Sequence, residues 1–163
     1  FLRVNETSVL TSPIKGTIKR GENLDKDILL KNKLLNSSKD LAENLMIVDV
    51  LRNDISRVCD YGSVKVSKLA KLESYQNVHH LVSSIEGKLS KNKDIFDLLN
   101  ATLPGGSITG APKVRAMEII SELEKSNRGV YCGTIGYMSF SGYSDFNIPI
   151  RTIKIENDQA IIN

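Results

Sequence analysis

The order of the predicted strands and helices is the feature that most restricts the fold of this chain. Alternating apolar residues bounded by turn residues predict strands at 1–10, 64–67, 78–89, 130–140 and 146–156. Helical spacing and capping residues predict helices at 37–57, 94–100 and 112–128. Strands therefore follow strands, without the regular alternation with helices that a doubly wound parallel sheet requires. We expect an α+β fold with a mostly antiparallel sheet and flanking helices.

Charge and hydropathy restrict the partners that such a chain can have. Its 163 residues include 22 Lys and Arg against 19 Asp and Glu, and these charges are scattered rather than gathered into a basic stripe. This pattern predicts no nucleic-acid partner, although a small anionic ligand remains compatible. No apolar run approaches the roughly 20 residues that span a bilayer, and no secretion signal opens the sequence. We expect a cytoplasmic protein without a membrane partner.

The ends of the sequence and its cysteines lead to two further expectations. Phe1 lies within a predicted strand, and the chain stops just after a predicted hairpin turn at Asn157-Asp158. We therefore expect residues 1–163 to form part of one domain that is truncated at both ends. Cys59 and Cys132 belong to no CxxC or Cys/His pattern, which favours two buried free thiols over a disulfide or a zinc site.

The helix predicted at 37–57 carries a carboxylate in an unusual position. Ser37 followed by Asp40 is typical of a helix N-cap, and the predicted buried stripe comprises Leu41, Leu45, Val48 and Ile55. Glu43 falls at the border of this stripe, where an unpaired carboxylate is costly. A hard cation such as magnesium would satisfy it, and so would a salt bridge or water.

A glycine-rich loop, Pro104-Gly-Gly-Ser-Ile-Thr-Gly110, precedes a helix predicted to begin at Pro112 and to end at Arg128-Gly129. Free backbone N–H groups at a helix N-terminus attract phosphate or carboxylate, and Ser107 and Thr109 add hydroxyl donors. The loop matches neither the Walker A pattern nor the GxGxxG pattern. An anion site and a plain tight turn both remain open.

Lys15, the histidine pair His79-His80 and Arg151 have the chemistry of ligand-binding residues. Lys15 is predicted to lie on irregular backbone, where it is either a nucleophile with a partly deprotonated amine or a solvated lysine. His79 and His80 cannot both face one side of a strand, so we expect one to be packed and the other exposed. Arg151 is predicted in an otherwise apolar strand, where an inward guanidinium needs a carboxylate partner.

Several short segments carry a resemblance to a known family. They are Pro13-Ile-Lys-Gly-Thr17, Glu43-Asn-Leu-Met-Ile-Val-Asp49 with Arg52-Asn-Asp54, His80-Leu-Val-Ser83, the loop from Pro104 to Lys113, Tyr131-Cys-Gly133 and Ile150-Arg-Thr152. In this order and spacing they resemble the chorismate-utilising enzymes over nearly the whole chain. The resemblance implies a chorismate-binding fold and places residues 1–163 within one catalytic domain of that fold.

The resemblance also implies an activity. Members with lysine at the position of Lys15 aminate chorismate at C4, giving 4-amino-4-deoxychorismate for p-aminobenzoate and folate synthesis. Lys15 would attack C2 as the catalytic nucleophile, and ammonia from a glutamine amidotransferase subunit or domain would then enter at C4. The implied substrate-binding residues are Gly16, Thr17, His80, Ser107, Tyr131 and Arg151. Glu43 would be a ligand of the Mg²⁺ cofactor.

The resemblance leaves alternatives open. The family's general-acid glutamate would precede Phe1 and its further magnesium-binding glutamates would follow Asn163, so we expect residues 1–163 to be inactive alone. The anthranilate-forming members resemble the same motifs with alanine in place of the lysine. A non-catalytic anion-binding or interaction domain is the alternative from another class.

Overall fold

One long strand, β5 (Val78–Lys88), organises the sheet in the computed structural model, which describes residues 1–162. It pairs with three other strands, all antiparallel to it. The remaining strands are β1 (Leu2–Asn5), β2 (Ser8–Thr11), β3 (Ile14–Lys19), β4 (Lys65–Ser74), β6 (Ile135–Met138), β7 (Tyr143–Asn147), β8 (Ile153–Glu156) and β9 (Gln159–Ile162). The main sheet has the order β3-β5-β2-β1-β7-β6 with β4 on the other edge of β5, while β8 and β9 form a separate hairpin.

Four α-helices accompany these strands within the described residues. They are α1 (Leu24–Leu35), α2 (Ser38–Ser56), α3 (Ile95–Thr102) and α4 (Lys113–Leu123). Because every strand pairing is antiparallel and α1 and α2 pack against the main sheet, the predicted α+β fold is confirmed. No helix in residues 1–162 has the length and apolar character needed to cross a bilayer.

Helix α1 was not predicted from the sequence. Asn23 caps it by accepting a hydrogen bond from the Lys26 N–H, but only Asp27 and Leu34 of its twelve residues are buried. Leu24, Ile28, Leu29 and Leu35 are all exposed, so apolar packing holds this helix only weakly. Its place in the fold depends instead on the contacts that Asp27 makes.

Helix α2 begins as predicted, with the Ser37 side chain accepting a hydrogen bond from the Asp40 N–H. The predicted buried stripe is partly wrong, because Leu41 and Leu45 are 36% and 56% exposed. The buried face of the helix is formed by Asn44, Ile47, Val48, Leu51, Asp54 and Ile55. The physical reason is that Asn44 turns inward to bond the sheet, which rotates the two leucines towards solvent.

The core lies between α2 and the main sheet. Ile47, Leu51 and Ile55 of the helix belong to one buried cluster with strand residues such as Leu2 and Ile85. Fully burying such a side chain contributes about 1.5–3 kcal/mol, so this cluster holds α2 firmly on the sheet. Cys59 belongs to the same cluster, and both cysteines are free and buried, as predicted.

The C-terminal third departs from the predicted boundaries. Helix α4 ends at Leu123 rather than at Arg128, since the backbone becomes extended at Glu124; Arg128 pairs with Glu124 (2.5 Å) and donates to the Ile108 carbonyl. Arg151 is not in a strand: it is exposed on the connection between β7 and β8, with a positive φ of 52°. The predicted turn at Asn157-Asp158 is confirmed and joins β8 to β9.

Asp27 is a buried carboxylate that joins α1 to the sheet. Its oxygens accept hydrogen bonds from Arg20 Nε (2.7 Å) and Nη2 (3.1 Å), and from the Gly21 N–H (2.9 Å). His79 Nε2 lies 2.9 Å from Asp27 Oδ1, and the other ring nitrogen of His79 lies 2.9 Å from Ser74 Oγ. The Arg20 guanidinium and these other donors hold the pKa of Asp27 well below its ordinary value.

Replacing Asp27 with Asn is expected to lower the urea concentration at the midpoint of unfolding at neutral pH. The midpoint of the variant should also change less with pH in the acid range than that of the wild type. Because the folded pKa is depressed, the contribution of Asp27 is complete above its unfolded pKa of about 3.9 and is lost as the pH falls through the folded pKa. The gap between the wild-type and variant midpoints should therefore narrow in acid. Urea titrations across the acid range measure it.

Asp25→Asn is the matched control, since Asp25 is exposed in the first turn of the same helix. It should leave the urea midpoint close to that of the wild type at every pH. A gap for Asp27→Asn that stays constant from neutral pH into acid would show that the Asp27 charge does not stabilise the fold.

Candidate functional site

Lys15 lies in strand β3, and not on the irregular backbone that the sequence predicts. The strand is nevertheless bulged at this point, because its pairing with β5 shifts register between Ile14 and Thr17. Ile14 pairs with Val82, whereas Thr17 pairs with His80. A bulge leaves ladder groups unpaired and redirects side chains, so the backbone of Lys15 needs a partner outside the ladder.

That partner is Asn44 of helix α2, which is completely buried. Its Nδ2 lies 3.4 Å from the Lys15 carbonyl oxygen and 3.3 Å from the Leu81 carbonyl oxygen. Its Oδ1 accepts a hydrogen bond from Ser83 Oγ at 2.5 Å. The amide of one helix residue therefore satisfies backbone groups on two neighbouring strands.

Ser83 bonds the strands on both sides of β5. Its N–H donates to the Pro13 carbonyl (3.0 Å), and its Oγ accepts from the Ala70 N–H (2.8 Å). Ala70 has a positive φ of 45° and lies where the pairing of β4 with β5 shifts register. The pair of Asn44 and Ser83 thus holds two bulged strands, one on each edge of β5.

Gly16 is required by both its backbone conformation and its surroundings. Its φ is +93°, in the region that favours glycine. A Cβ at this position would lie 3.1 Å from Asp40 Cβ, 3.1 Å from Leu81 Cδ1 and 3.3 Å from Leu34 Cδ1. The chain therefore passes close to the helices immediately after Lys15.

Thr17 and His80 form a hydrogen-bonded pair beside the bulge. They occupy opposite positions in β3 and β5, with 2.7 Å between Thr17 Oγ1 and His80 Nδ1. The Tyr75 ring meets the His80 ring edge-on, with 5.5 Å between their centres. His79 is fully buried, which confirms the predicted packed histidine, but His80 is half-buried rather than exposed, because it is hydrogen-bonded to Thr17 and lies against Tyr75.

Glu43 directly precedes Asn44 on α2. Its side chain is 40% exposed, and the ammonium of Lys39 lies 3.9 Å from it. No group of three His, Cys, Asp or Glu side chains suited to a metal ion occurs among residues 1–162. Glu43 is therefore an accessible carboxylate whose position follows from the contacts of Asn44.

The glycine-rich loop borders two grooves. Ser107, exposed in a short 3-10 turn at 106–108, lines a groove of about 280 Å³ together with Pro13, Ile14 and Ile148. Ile108 and Thr109 line a second groove, of about 600 Å³, which also contains Tyr131. The loop thus separates the segment that leads into Lys15 from the segment around Tyr131.

The geometry of the loop depends on a close approach to α2. A Cβ on Gly106 would lie 2.6 Å from Val50 Cγ1, so only glycine fits there. Thr109 Oγ1 donates to the Gly105 carbonyl (3.0 Å). This bond occupies the hydroxyl that was predicted as a donor to a ligand. Residues 109–112 separate the turn from α4, so Ser107 is not at the start of that helix.

Lys113 fixes the far end of the loop. Its ammonium lies 2.5 Å from the carboxylate of the buried Asp54 in α2 and 3.2 Å from the Thr102 carbonyl oxygen. Burial raises the pKa of Asp54, while Lys113 opposes that shift by favouring the charged form. Lys113 therefore ties the start of α4 to α2 through an ion pair that is mostly shielded from solvent.

Tyr131 and Arg151 belong to two segments that meet in the structure. The Cys132 N–H donates to the Pro149 carbonyl (2.9 Å), which joins the turn after α4 to the connection that carries Arg151. Tyr131 is half-buried, and Arg151 is exposed. The neighbouring Cys132 raises the pKa of the Tyr131 phenol.

The structure therefore brings some of the predicted residues together and leaves others apart. Lys15, Gly16, Thr17 and His80 share the bulged end of β3 and β5, with Glu43 on the helix packed against it. Tyr131 lines the larger groove and Ser107 the smaller one, whereas Arg151 lines neither and is linked to Tyr131 only through the backbone bond from Cys132 to Pro149. The roles of Asn44 and Ser83 were not predicted from the sequence. The only signal for them was that each is a polar residue beside an apolar run.

The family model for chorismate binding enzyme matches residues 1–163. The chain is 53% identical over 153 residues to aminodeoxychorismate synthase component 1 of Klebsiella aerogenes, covering 94% of this chain and 34% of that protein. It is 46% identical over 162 residues to anthranilate synthase component 1 of Mycobacterium bovis, covering 99% and 31%.

A solved structure gives the same result for the fold. Anthranilate synthase component I from Streptococcus pneumoniae superimposes with a TM-score of 0.86 at 42% identity, over 98% of this chain and 34% of that chain. The present chain therefore spans about a third of the length of the relatives it matches.

Replacing Lys113 with Met is expected to destabilise the protein by about 3 kcal/mol, since it leaves Asp54 buried without its partner. Burial then raises the folded pKa of Asp54 further above its unfolded value. A carboxyl group whose pKa is higher in the folded than in the unfolded state destabilises the fold more as the pH rises. The loss of stability in Lys113→Met should therefore be largest at neutral pH and smaller in acid. Urea titrations at several pH values measure this.

Lys125→Met is the control, because Lys125 is exposed just beyond α4. It removes the same charge without touching Asp54, and its urea midpoint should match that of the wild type. A Lys113→Met protein as stable as this control would show that the ion pair does not hold the loop.

Proposed function

Because this chain belongs to the family of chorismate binding enzymes, we propose that it aminates chorismate at C4 to give 4-amino-4-deoxychorismate. The observation that carries the proposal is Lys15, which follows Pro13-Ile14 and precedes Gly16-Thr17 on the bulge of β3. Support comes from the 53% identity to an aminodeoxychorismate synthase component 1. The product would supply p-aminobenzoate and folate synthesis.

The proposed chemistry uses the Lys15 amine as a covalent nucleophile. Its lone pair forms a bond to C2 of chorismate, the two ring double bonds shift, and the C4 hydroxyl leaves as water after taking up a proton. Ammonia then bonds to C4, the double bonds shift back, and the C2–N bond breaks to release Lys15. The net reaction replaces hydroxyl by amino, and one difficult displacement becomes two easier ones.

The remaining residues would bind and orient the substrate. Thr17 and His80 are already hydrogen-bonded to each other, so they offer a preorganised polar edge beside Lys15. Gly16 would allow close approach of the substrate to the backbone, and Ser107 would contact it through its exposed hydroxyl. Tyr131 and Arg151 would complete the site, with the Arg151 guanidinium facing a carboxylate of chorismate.

Magnesium fits the donor that the chain supplies. Mg²⁺ is commonly held by one or two carboxylates together with water and an anionic substrate, rather than by a cage made of protein alone. Glu43 offers one accessible carboxylate on the helix that packs against β3. Bound there, the ion would neutralise negative charge on the carboxylated substrate.

Ammonia would come from a glutamine amidotransferase, either as a separate subunit or as a fused domain. The proposed reaction consumes ammonia, and Cys59 and Cys132 are both buried, so neither thiol is accessible as a nucleophile towards glutamine. Free ammonium should therefore replace the partner in an assay.

Anthranilate formation is the second candidate, favoured by the 46% identity to an anthranilate synthase component 1. The feature that distinguishes the two is residue 15, because anthranilate-forming members resemble this motif with alanine there. A chain with lysine at this position is expected to give the C4 amination product.

Replacing Lys15 with Ala in the protein of natural length is expected to lower the rate of aminodeoxychorismate formation by roughly two orders of magnitude or more, because the nucleophile is lost. The assay supplies chorismate, magnesium and ammonium, and chromatography with mass detection separates aminodeoxychorismate from anthranilate.

Lys19→Ala is the matched control, since Lys19 is an exposed lysine of the same strand. Its rate should equal that of the wild type. Near-normal turnover in Lys15→Ala would reject the lysine step, and anthranilate as the wild-type product would reject the C4 assignment.

Replacing Glu43 with Gln should raise the magnesium concentration needed for half-maximal activity by roughly tenfold or more, because a neutral amide is a weaker ligand for a hard cation. Activity measured across a magnesium titration tests this. Asp49→Asn is the control, since Asp49 is an exposed carboxylate of the same helix. Identical titrations for the wild type and Glu43→Gln would leave Glu43 without a role in metal binding.

A further inference from the structure

We propose that Asn44 is the positioning residue for the Lys15 nucleophile. This inference rests on the proposed function, because it assigns a role to Asn44 through the reactive amine of Lys15. The observation behind it is that a completely buried carboxamide lies within hydrogen-bonding distance of the Lys15 carbonyl oxygen, at the register shift of β3.

The contact acts on the backbone from which the reactive side chain projects. The register shift between Ile14 and Thr17 removes Lys15 from the regular ladder with β5. A donor from helix α2 therefore sets the orientation of the Lys15 peptide group, and with it the direction of the Lys15 side chain. Because α2 is fixed by core packing, the donor itself has a defined place.

The orientation of the Asn44 amide is itself determined by its neighbours. Ser83 Oγ donates to Asn44 Oδ1, which requires the Nδ2 group to face the carbonyls of Lys15 and Leu81. The Ser83 hydroxyl is held in turn by the Ala70 N–H. Both partners of this pair are completely buried, so no water competes for these bonds.

Thr17 is held independently of Asn44. It regains regular pairing with His80 and bonds its ring at 2.7 Å. Loss of the Asn44 amide should therefore displace Lys15 more than the polar edge formed by Thr17 and His80. The proposal predicts an effect on kcat rather than on KM for chorismate.

Asn44→Leu in the protein of natural length is the main test, since leucine keeps the branching and approximate size of asparagine but cannot donate to either carbonyl. We expect kcat for aminodeoxychorismate formation to fall roughly a hundredfold, which is the scale of loss from misplacing a reacting group by about 1 Å. We expect KM for chorismate to stay within about threefold of the wild type.

Leu98→Ala is the matched control for general destabilisation. Leu98 is fully buried in α3 and belongs to the same core cluster, but it makes no hydrogen bond with β3. Assayed well below its Tm, this variant should keep the kcat of the wild type. If its kcat falls as far as that of Asn44→Leu, the role of Asn44 is only structural and the proposal is overturned.

Ser83→Ala keeps the test decisive if Asn44→Leu does not fold. It leaves both Asn44 donors in place but removes the hydroxyl that orients them. We expect kcat to fall by roughly threefold to tenfold, the scale of one hydrogen bond, again with little change in KM. A wild-type kcat in Ser83→Ala, or in a folded Asn44→Leu, would overturn the proposal.

The Lys15→Ala variant separates failure of this inference from failure of the proposed function. Full activity in Lys15→Ala would remove the nucleophile on which both rest. A large loss in Lys15→Ala together with a wild-type kcat in Asn44→Leu would leave the proposed function standing and reject Asn44 as the residue that positions Lys15.

Discussion

The buried pair of Asn44 and Ser83 is the interaction on which the arrangement of the sheet depends. Strand β5 has a bulged neighbour on each side, and each bulge leaves backbone groups that need partners. An unsatisfied buried group costs about 1–3 kcal/mol, so helix α2 can pack here only in the register that brings Asn44 to these groups. The packing of helix α2 and the bulges of β3 and β4 are therefore determined together.

Two buried aspartates join outer elements of the fold to this centre, and their pKa values are shifted in opposite directions. Asp27 is surrounded by donors, among them the Arg20 guanidinium, so its charged form is favoured and its pKa is lowered. Asp54 is dominated by burial, so its pKa is raised although Lys113 opposes the shift. The first holds helix α1 near β5, and the second holds the glycine-rich loop near α2. Both depend on contacts between residues far apart in sequence.

Sequence patterns were sufficient to predict elements whose ends are capped or turned by neighbouring residues. The Ser37 cap of α2, the Asp94 and Asp97 capping box of α3 and the turn between β8 and β9 follow from neighbouring residues. Helix α1 escaped prediction because its position depends on Asp27 meeting Arg20 and His79, and the buried face of α2 was misplaced because Asn44 bonds residues 29 and 37 positions away. Short motifs located the candidate site residues, but they could not show that Lys15 belongs to a bulged strand.

The bond that Asn44 makes to residue 15 uses the carbonyl oxygen, which every amino acid has. The bond therefore places no requirement on the side chain at this position. Two relatives with different products, at 53% and 46% identity, match nearly the whole chain, so the scaffold tolerates divergence of chemistry. The identity of residue 15 can therefore change without loss of the bond that holds this bulge, so the backbone and the side chain of one residue are under separate constraints.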